Sequence, residues 1–466
     1  MKNLEQHRMF SNRQIAGLIW PLFIEQLLNI TVGIADVIMV SNLGEAEVSG
    51  VSLVDSINIL LFGLLTALGT GGAVVVSQYI GRRDTKKAEN TAVQLIYTML
   101  ILSGAVTLLM IVFRQQVLSI VFGKVKPDVM TASLKYFWIT MLALPGIAVY
   151  CGIAAIFRAQ GNSRVSMYAS ILINIVNVGG NILCIYVLHM GVEGVAIPTT
   201  LSRFGAAALL TFLMLREKPF NDQKPVSIRR LFKEPLDPGL INKILKIGIP
   251  NGLENSVFQI GKILVLSLVA TFGTSAIAAN AAGNSIASIE ILPPQSVSIA
   301  MLTVVGQCIG SGDYEQVRYY TKKMMVIAYV AMLVWNIPLL ISTRSILGFY
   351  NLSREGTDIA WWMAMTHGVI GILLWPMSFT LPNALRAAND ATYTMIVSIC
   401  SMFAIRIGMS YAFKYTEIFG LIPLLGWSSA YGAIGSWIAM CLDWVLRSGL
   451  FIGRLIGGKW KGRNLI

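Results

Sequence analysis

The sequence predicts an all-α integral membrane protein with twelve transmembrane helices in two pseudo-symmetric six-helix lobes. Three observations lead there: recurring long apolar runs, a one-sided distribution of basic residues, and an internal repeat. Of 466 residues, 55% are hydrophobic and only 13% are charged, with a mean hydropathy of +0.68. A water-soluble chain of this length needs far more charge to cover its surface. Apolar runs long enough to cross about 30 Å of hydrocarbon fall near 15–40, 48–80, 91–113, 136–157, 165–188, 194–215, 247–272, 277–308, 324–342, 359–385, 392–413 and 433–455. The first follows a basic tail (Lys2, Arg8, Arg13), is too long for a signal peptide and has no small-residue cleavage site after it, so it is expected to be retained.

With the N-terminus inside, the inner segments hold 25 Lys and Arg residues and the outer loops hold 7; Arg203, Lys262, Arg406 and Arg447 lie within the runs. This is the positive-inside pattern, and it predicts a multi-pass protein of the plasma (inner) membrane with both termini cytoplasmic. The net charge of +13 therefore orients the chain and implies no nucleic-acid partner. The five cysteines are scattered and expected to act as small hydrophobes. With three histidines, no H-E-x-x-H and no phosphate-binding glycine pattern opening a helix, neither an enzyme nor a cofactor is expected.

Shifted by 229 residues, "WPLFIEQ" falls on "IPNGLEN", aligning Pro21 with Pro250 and Glu25 with Glu254. Gly44 meets Gly273, and "VVSQYIGRRD" (75–84) meets "VVGQCIGSGD" (304–313) without a gap. At a shift of 228, "FRAQGNSRVSMYASI" (157–171) resembles "LRAANDATYTMIVSI" (385–399), and at 241 "GVEGVAI" (191–197) meets "GAIGSWI" (432–438). An even number of spans per half makes these parallel repeats, the arrangement of secondary transporters whose sites lie near mid-membrane. The expected division is an N-terminal lobe 1–215, a basic cytoplasmic linker 216–246 and a C-terminal lobe 247–466.

At these motifs the chain resembles the multidrug and toxic compound extrusion (MATE) transporters: Pro-x-x-x-Glu opening each half, "QYIGRRDTKKAEN", "RAQGNSR" and "GVEGVAIPT", in order and over nearly the whole chain. The resemblance implies a V-shaped exporter that exchanges small amphipathic, cationic drugs or metabolites for H⁺ or Na⁺ by alternating access, as a monomer. A flippase of lipid-linked precursors in the same superfamily is the alternative. Its cavity would carry clustered cations, whereas here acids outnumber bases at the candidate sites, and the chain ends soon after its twelfth run.

The acids inside the runs are the candidate site residues, because an ionised group in hydrocarbon costs about 2.5–3.5 kcal/mol on insertion scales. Glu25, Asn29 and Asp36 share one helical face, which must look toward protein or water. The turn at Gly44 brings Asp55 to a depth comparable to that of Asp36. Asn174, Asn177 and Asn181 form a second polar face on the fifth run. The resemblance makes Asp36 the cation-coupling acid, neutralised by H⁺ or by a Na⁺ ion bound near it. It also matches Asn177 and Asn181 to an Asn-x-x-x-Asp motif of some relatives, with an amide in place of the acid. Glu25 and Glu254 each follow a proline by four residues, and are divided between a transport role and structural pairing near the cytoplasmic side. Relatives with a glutamate deeper in the seventh helix and an aspartate on the tenth are matched here by Phe258 and by no acid. Glu290 with Lys262, the latter about 10 Å further out at 1.5 Å per residue, is then either a substitute site or an ion pair, the pair being favoured.

Among the remaining polar and aromatic residues, Asp443 and Arg447, at i and i+4, are expected to pair along one helix. Arg158 and Arg386 suit helix C-termini, and Trp361, Trp362, Trp375 and Trp427 are expected as interfacial anchors.

Overall fold

The computed structural model describes residues 8–41, 43–123, 125–216 and 225–463. Lys2 of the basic tail and 217–224 of the linker lie outside them. The first half contributes α1 (Asn12–Ser41), α2 (Glu45–Gly81), α3 (Thr85–Val112), α4 (Pro127–Leu142 continued by Leu144–Ala159), α5 (Ser163–Val187) and α6 (Glu193–Leu215). The second contributes α7 (Pro238–Ala270), α8 (Thr274–Glu290 continued by Leu292–Gly310), α9 (Tyr314–Leu347), α10 (Arg354–Ala387), α11 (Ala391–Tyr415) and α12 (Ile434–Ile456). A short helix, Arg114–Phe122, links α3 to α4.

Among the described residues, ten helices are long and apolar enough to cross a membrane, and α4, bent by 42° at its break, makes eleven. The bend has a local cause: Pro145 stands in the first turn of the second segment and offers no backbone donor. The twelfth expected run is helical as α12, but Asp443, Arg447 and Arg454 take it outside a purely apolar count.

The repeat is visible in how helices begin and end. Gly44 (φ 127°) and Gly273 (φ 100°) occupy equivalent turns before α2 and α8, in a region of backbone space that side chains disfavour. At the starts of α3 and α9, Asp84 accepts a bond from the Lys87 amide at 3.1 Å and Asp313 one from the Gln316 amide at 3.0 Å. Both are N-caps, with a carboxylate satisfying a free amide of the first turn. The residues just before them, Arg83 and Gly312, are both left-handed.

The helices group into two compact units, the first reaching to Gly252 and including Gly306–Gly312, the second holding the rest. In the first, α5 lies between α1 and α6, and α2 packs along α4. Its tightest approach is reciprocal. A Cβ on Gly81 would run into the Gln307 carbonyl, and one on Gly310 into the Gln78 carbonyl. Small residues allow this closeness where dispersion, rather than water exclusion, holds helices together. In the second unit α10 packs against α8, α9 and α12. Three helices widen locally into π-type turns, at Leu183–Val187, Pro376–Thr380 and Met402–Ile407, a deviation that frequently marks functional positions.

One aromatic expectation is corrected. Trp361, Trp362 and Trp427 form a cluster with Tyr431, at ring separations of 5.0, 5.8 and 4.7 Å. Trp375 instead is buried and stacks on Phe379 at 5.0 Å, because α10 continues through the widened turn to Ala387 and leaves it far from a helix end.

Candidate functional site

In the first unit, α1 and α5 bring their polar faces together. Asn181 Nδ2 donates to Asp36 Oδ1 at 2.7 Å and more weakly to Asn177 Oδ1 at 3.4 Å. Asn177 Nδ2 donates in turn to Thr199 Oγ1 at 2.8 Å. Asn177 and Asn181 are buried and Asp36 half-buried. Asp55 accepts from Asn58 at 3.1 Å and from the Tyr136 hydroxyl at 3.2 Å. The two carboxylates are close enough to repel one another, while Arg203 on α6 attracts Asp36. The Asn181 carbonyl oxygen is buried without a donor. A buried acceptor left open beside a carboxylate is a place for a positive group. A proton on Asp36 would turn that acid into a donor, and a Na⁺ ion would find the hard oxygen ligands it prefers. Asn174 does not join this chain; it bonds the Ser170 carbonyl of its own helix at 2.9 Å.

Glu25 and Glu254 occupy equivalent ion-pair sites, one in each unit. Glu25 accepts from Arg158 at 3.0 Å and from Ser166 at 2.7 Å. Glu254 accepts from Arg386 at 2.8 Å and has Arg447 at 3.7 Å. Arg158 and Arg386 are themselves equivalent in the repeat, so the helix-end arginines serve the proline-linked glutamates. Arg447 also meets Asp443, one helical turn before it, at 3.9 Å.

Glu290 and Lys262 have other neighbours than each other. Glu290, fully buried, contacts His367 Nδ1, and that imidazole is held edge-on between Trp437 at 5.7 Å and Trp444 at 5.1 Å. Lys262 stands near Arg406. The sequence pairing considered only the adjacent helix, whereas α10 supplies the partner.

Tyr136, Thr199 and Arg203 belong to the Asp36 and Asp55 surroundings and were not singled out from sequence. Thr199, the last residue of the "GVEGVAIPT" motif, and Arg203, four further along α6, fall on one helical face, a periodicity that marks them. Tyr136, at the first position of an apolar run, offers no comparable signal.

These features define a class: multi-pass helical membrane proteins built from two copies of a six-helix unit, with carboxylates engaged in polar networks inside the helix packing. The MatE family model matches residues 21–183 and again 250–412, stretches that begin 229 residues apart. The chain belongs to the MatE family. It is 23% identical over 463 residues to a probable multidrug resistance protein NorM of Thermotoga maritima, covering 97% of this chain and 94% of the relative. It is 25% identical over 456 residues to the uncharacterized transporter YisQ of Bacillus subtilis, covering 96% and 93%. Among solved structures, an outward-facing multidrug resistance MATE transporter matches with a TM-score of 0.86 at 20% identity, covering 96% of each chain. A MOP superfamily transporter from Pyrococcus furiosus matches with a TM-score of 0.85, again at 20% identity over 96% of each chain.

Proposed function

We propose that this protein is a secondary active exporter that moves small amphipathic organic compounds out of the cell in exchange for H⁺ or Na⁺, by alternating access. The observation carrying this reading is the bond from Asn181 to Asp36 beside the undonated Asn181 carbonyl. It is an acceptor-rich site in the membrane interior that a cation completes. Binding there biases the conformational equilibrium by the difference in cation affinity between the two states, and by no more. Asp55, Asn177 and Asn181 position and polarise Asp36, while Glu25 and Glu254 hold helices through their arginines. The names of the relatives, several of them multidrug resistance proteins, support export of drugs or metabolites. One chain carries both repeats, lobes 1–215 and 247–466 joined by 216–246, so a monomer suffices.

Counterflow of ethidium in proteoliposomes, with pH and Na⁺ gradients imposed separately, is expected to show accumulation driven by one of the two. Dye movement indifferent to both gradients would end the antiport reading.

The orientation with both termini cytoplasmic makes a second prediction. Single cysteines placed at Lys86 and Arg229 should react with an impermeant maleimide only after the inner face is opened. Labelling of both in intact cells would reverse the topology.

A further inference from the structure

The second unit contains a surplus of positive charge that its own acids do not neutralise. Lys262 on α7, Arg406 in the widened turn of α11, Arg447 on α12 and Arg386 on α10 face two carboxylates, Glu254 and Asp443. Both are engaged, although Asp443 Oδ2 has no hydrogen-bond partner. Glu254 is shared between Arg386 and Arg447, at 2.8 and 3.7 Å. Asp443 accepts from Ser401 and sits 3.9 Å from Arg447. Arg406 feels Asp443 but also the repulsion of Arg447, and the charge acting on Lys262 is the like charge of Arg406.

Local packing enforces this juxtaposition of like charges. A side chain at Gly261 would collide with Met402, so α7 and α11 touch there and set Lys262 beside Arg406, one turn beyond Met402. The guanidinium groups lie against rings. Arg406 is 5.9 Å from the Phe258 centroid, and Arg447 is 5.1 Å from Phe258 and 4.5 Å from Phe379. Arg406 Nε and Arg447 Nε are buried donors with no acceptor. Lys262 keeps accessible surface, on a polar face of α7 with Asn255 and Gln259, the three at i, i+4 and i+7. A polar face on a spanning helix must look onto protein or water.

Uncompensated charge in an interior of low polarity is costly, and buried donors without a partner call for an acceptor. We infer that Lys262 and Arg406, backed by Arg447, bind an anionic group, a carboxylate, sulfonate or phosphate, borne by an amphipathic molecule whose apolar part lies against Phe258 and Phe379. This rests on the export reading for the ligand's fate but not for its binding. It makes the substrate anionic or zwitterionic, against the cationic class that the sequence resemblance implied.

The test uses the full-length protein in phosphatidylcholine nanodiscs with carboxyfluorescein as probe, followed by fluorescence anisotropy. Wild type should bind the free acid more tightly than its methyl ester. Lys262→Met should weaken binding of the acid by about tenfold, the scale of one charge-assisted bond, without weakening ethidium binding, and Lys262→Arg should restore it. Equal affinity of wild type for acid and ester, or of Lys262→Met and wild type for the acid, overturns the proposal. Phosphatidylglycerol in the nanodisc separates the sources. If it displaces the dye, the anion held is a lipid headgroup; if it does not, the site serves a freely diffusing anion. Charge-dependent binding in a protein that moves neither ethidium nor carboxyfluorescein under either gradient would leave the anion site standing and remove the export reading. Gradient-driven ethidium flux with charge-indifferent binding would do the reverse.

Discussion

Asp36→Asn is expected to reduce gradient-driven export to background while the protein still inserts and folds. The amide keeps the shape of the side chain and its oxygen can still accept the Asn181 bond, which is 2.7 Å in the native protein. What it loses is a charge that a proton or Na⁺ can cancel. The companion change is Asn181→Asp. It places a second carboxylate at hydrogen-bonding distance from the first, so the two titrate as a pair and the pH optimum of transport should move. Asn177→Ala breaks the next link, to Thr199, and should weaken transport without moving that optimum. Wild-type export by Asp36→Asn across the whole pH range would make the residue structural. An unmoved optimum in Asn181→Asp, with Asp36 still essential, would show that the bond takes no part in coupling.

The largest stability effect is expected from Glu254→Gln. The native carboxylate separates two cations, Arg386 at 2.8 Å and Arg447 at 3.7 Å, and the latter is almost wholly enclosed. Removing one partner of a buried ion pair costs about 3–5 kcal/mol, because the charge left behind has lost its compensation and cannot reach water. Here two such charges would face each other. The double change Glu254→Gln with Arg386→Met should recover part of the loss. Glu25→Gln, at the equivalent position, should cost less: Arg158 is partly exposed and can be hydrated, and Ser166 can still donate to the new amide. Thermal unfolding in detergent measures all three. Equal melting temperatures for Glu254→Gln and wild type would mean that the glutamate contributes nothing to stability.

What could be read in advance follows the range of the forces involved. Helical periodicity acts over one or two turns, so the Asn177 and Asn181 face and the acid of α1 were visible from spacing alone, as polar groups that hydrocarbon forbids. The proline-linked glutamates were visible because the repeat shows them twice. Pairings across the bundle were not. Glu290 and His367 are far apart in sequence, and nothing local to either indicates the other; both sit on faces otherwise made of small and apolar residues. Lys262 beside Arg406 runs against the rule of opposite charges that guided its expected pairing with Glu290. It results from a glycine, Gly261, that lets two helices touch. Trp375 was misplaced because an apolar run does not announce where a helix with an internal π turn truly ends.

The reciprocal contact between Gly81 and Gln307, and between Gly310 and Gln78, bears on the history of the gene. If both halves descend from one half-length ancestor acting as a pair of identical chains, a single codon once specified both glycines. A missense change there would have introduced two backbone collisions at a stroke. Joined in one reading frame, the two glycines mutate separately, and each Gln-x-x-Gly segment can drift at the positions between and after its fixed residues. Tyr79 against Cys308, and Arg82 against Ser311, record that drift. The contact should therefore remain glycine on both sides while its flanks lose their likeness, so that the trace of duplication survives longest where the two segments touch.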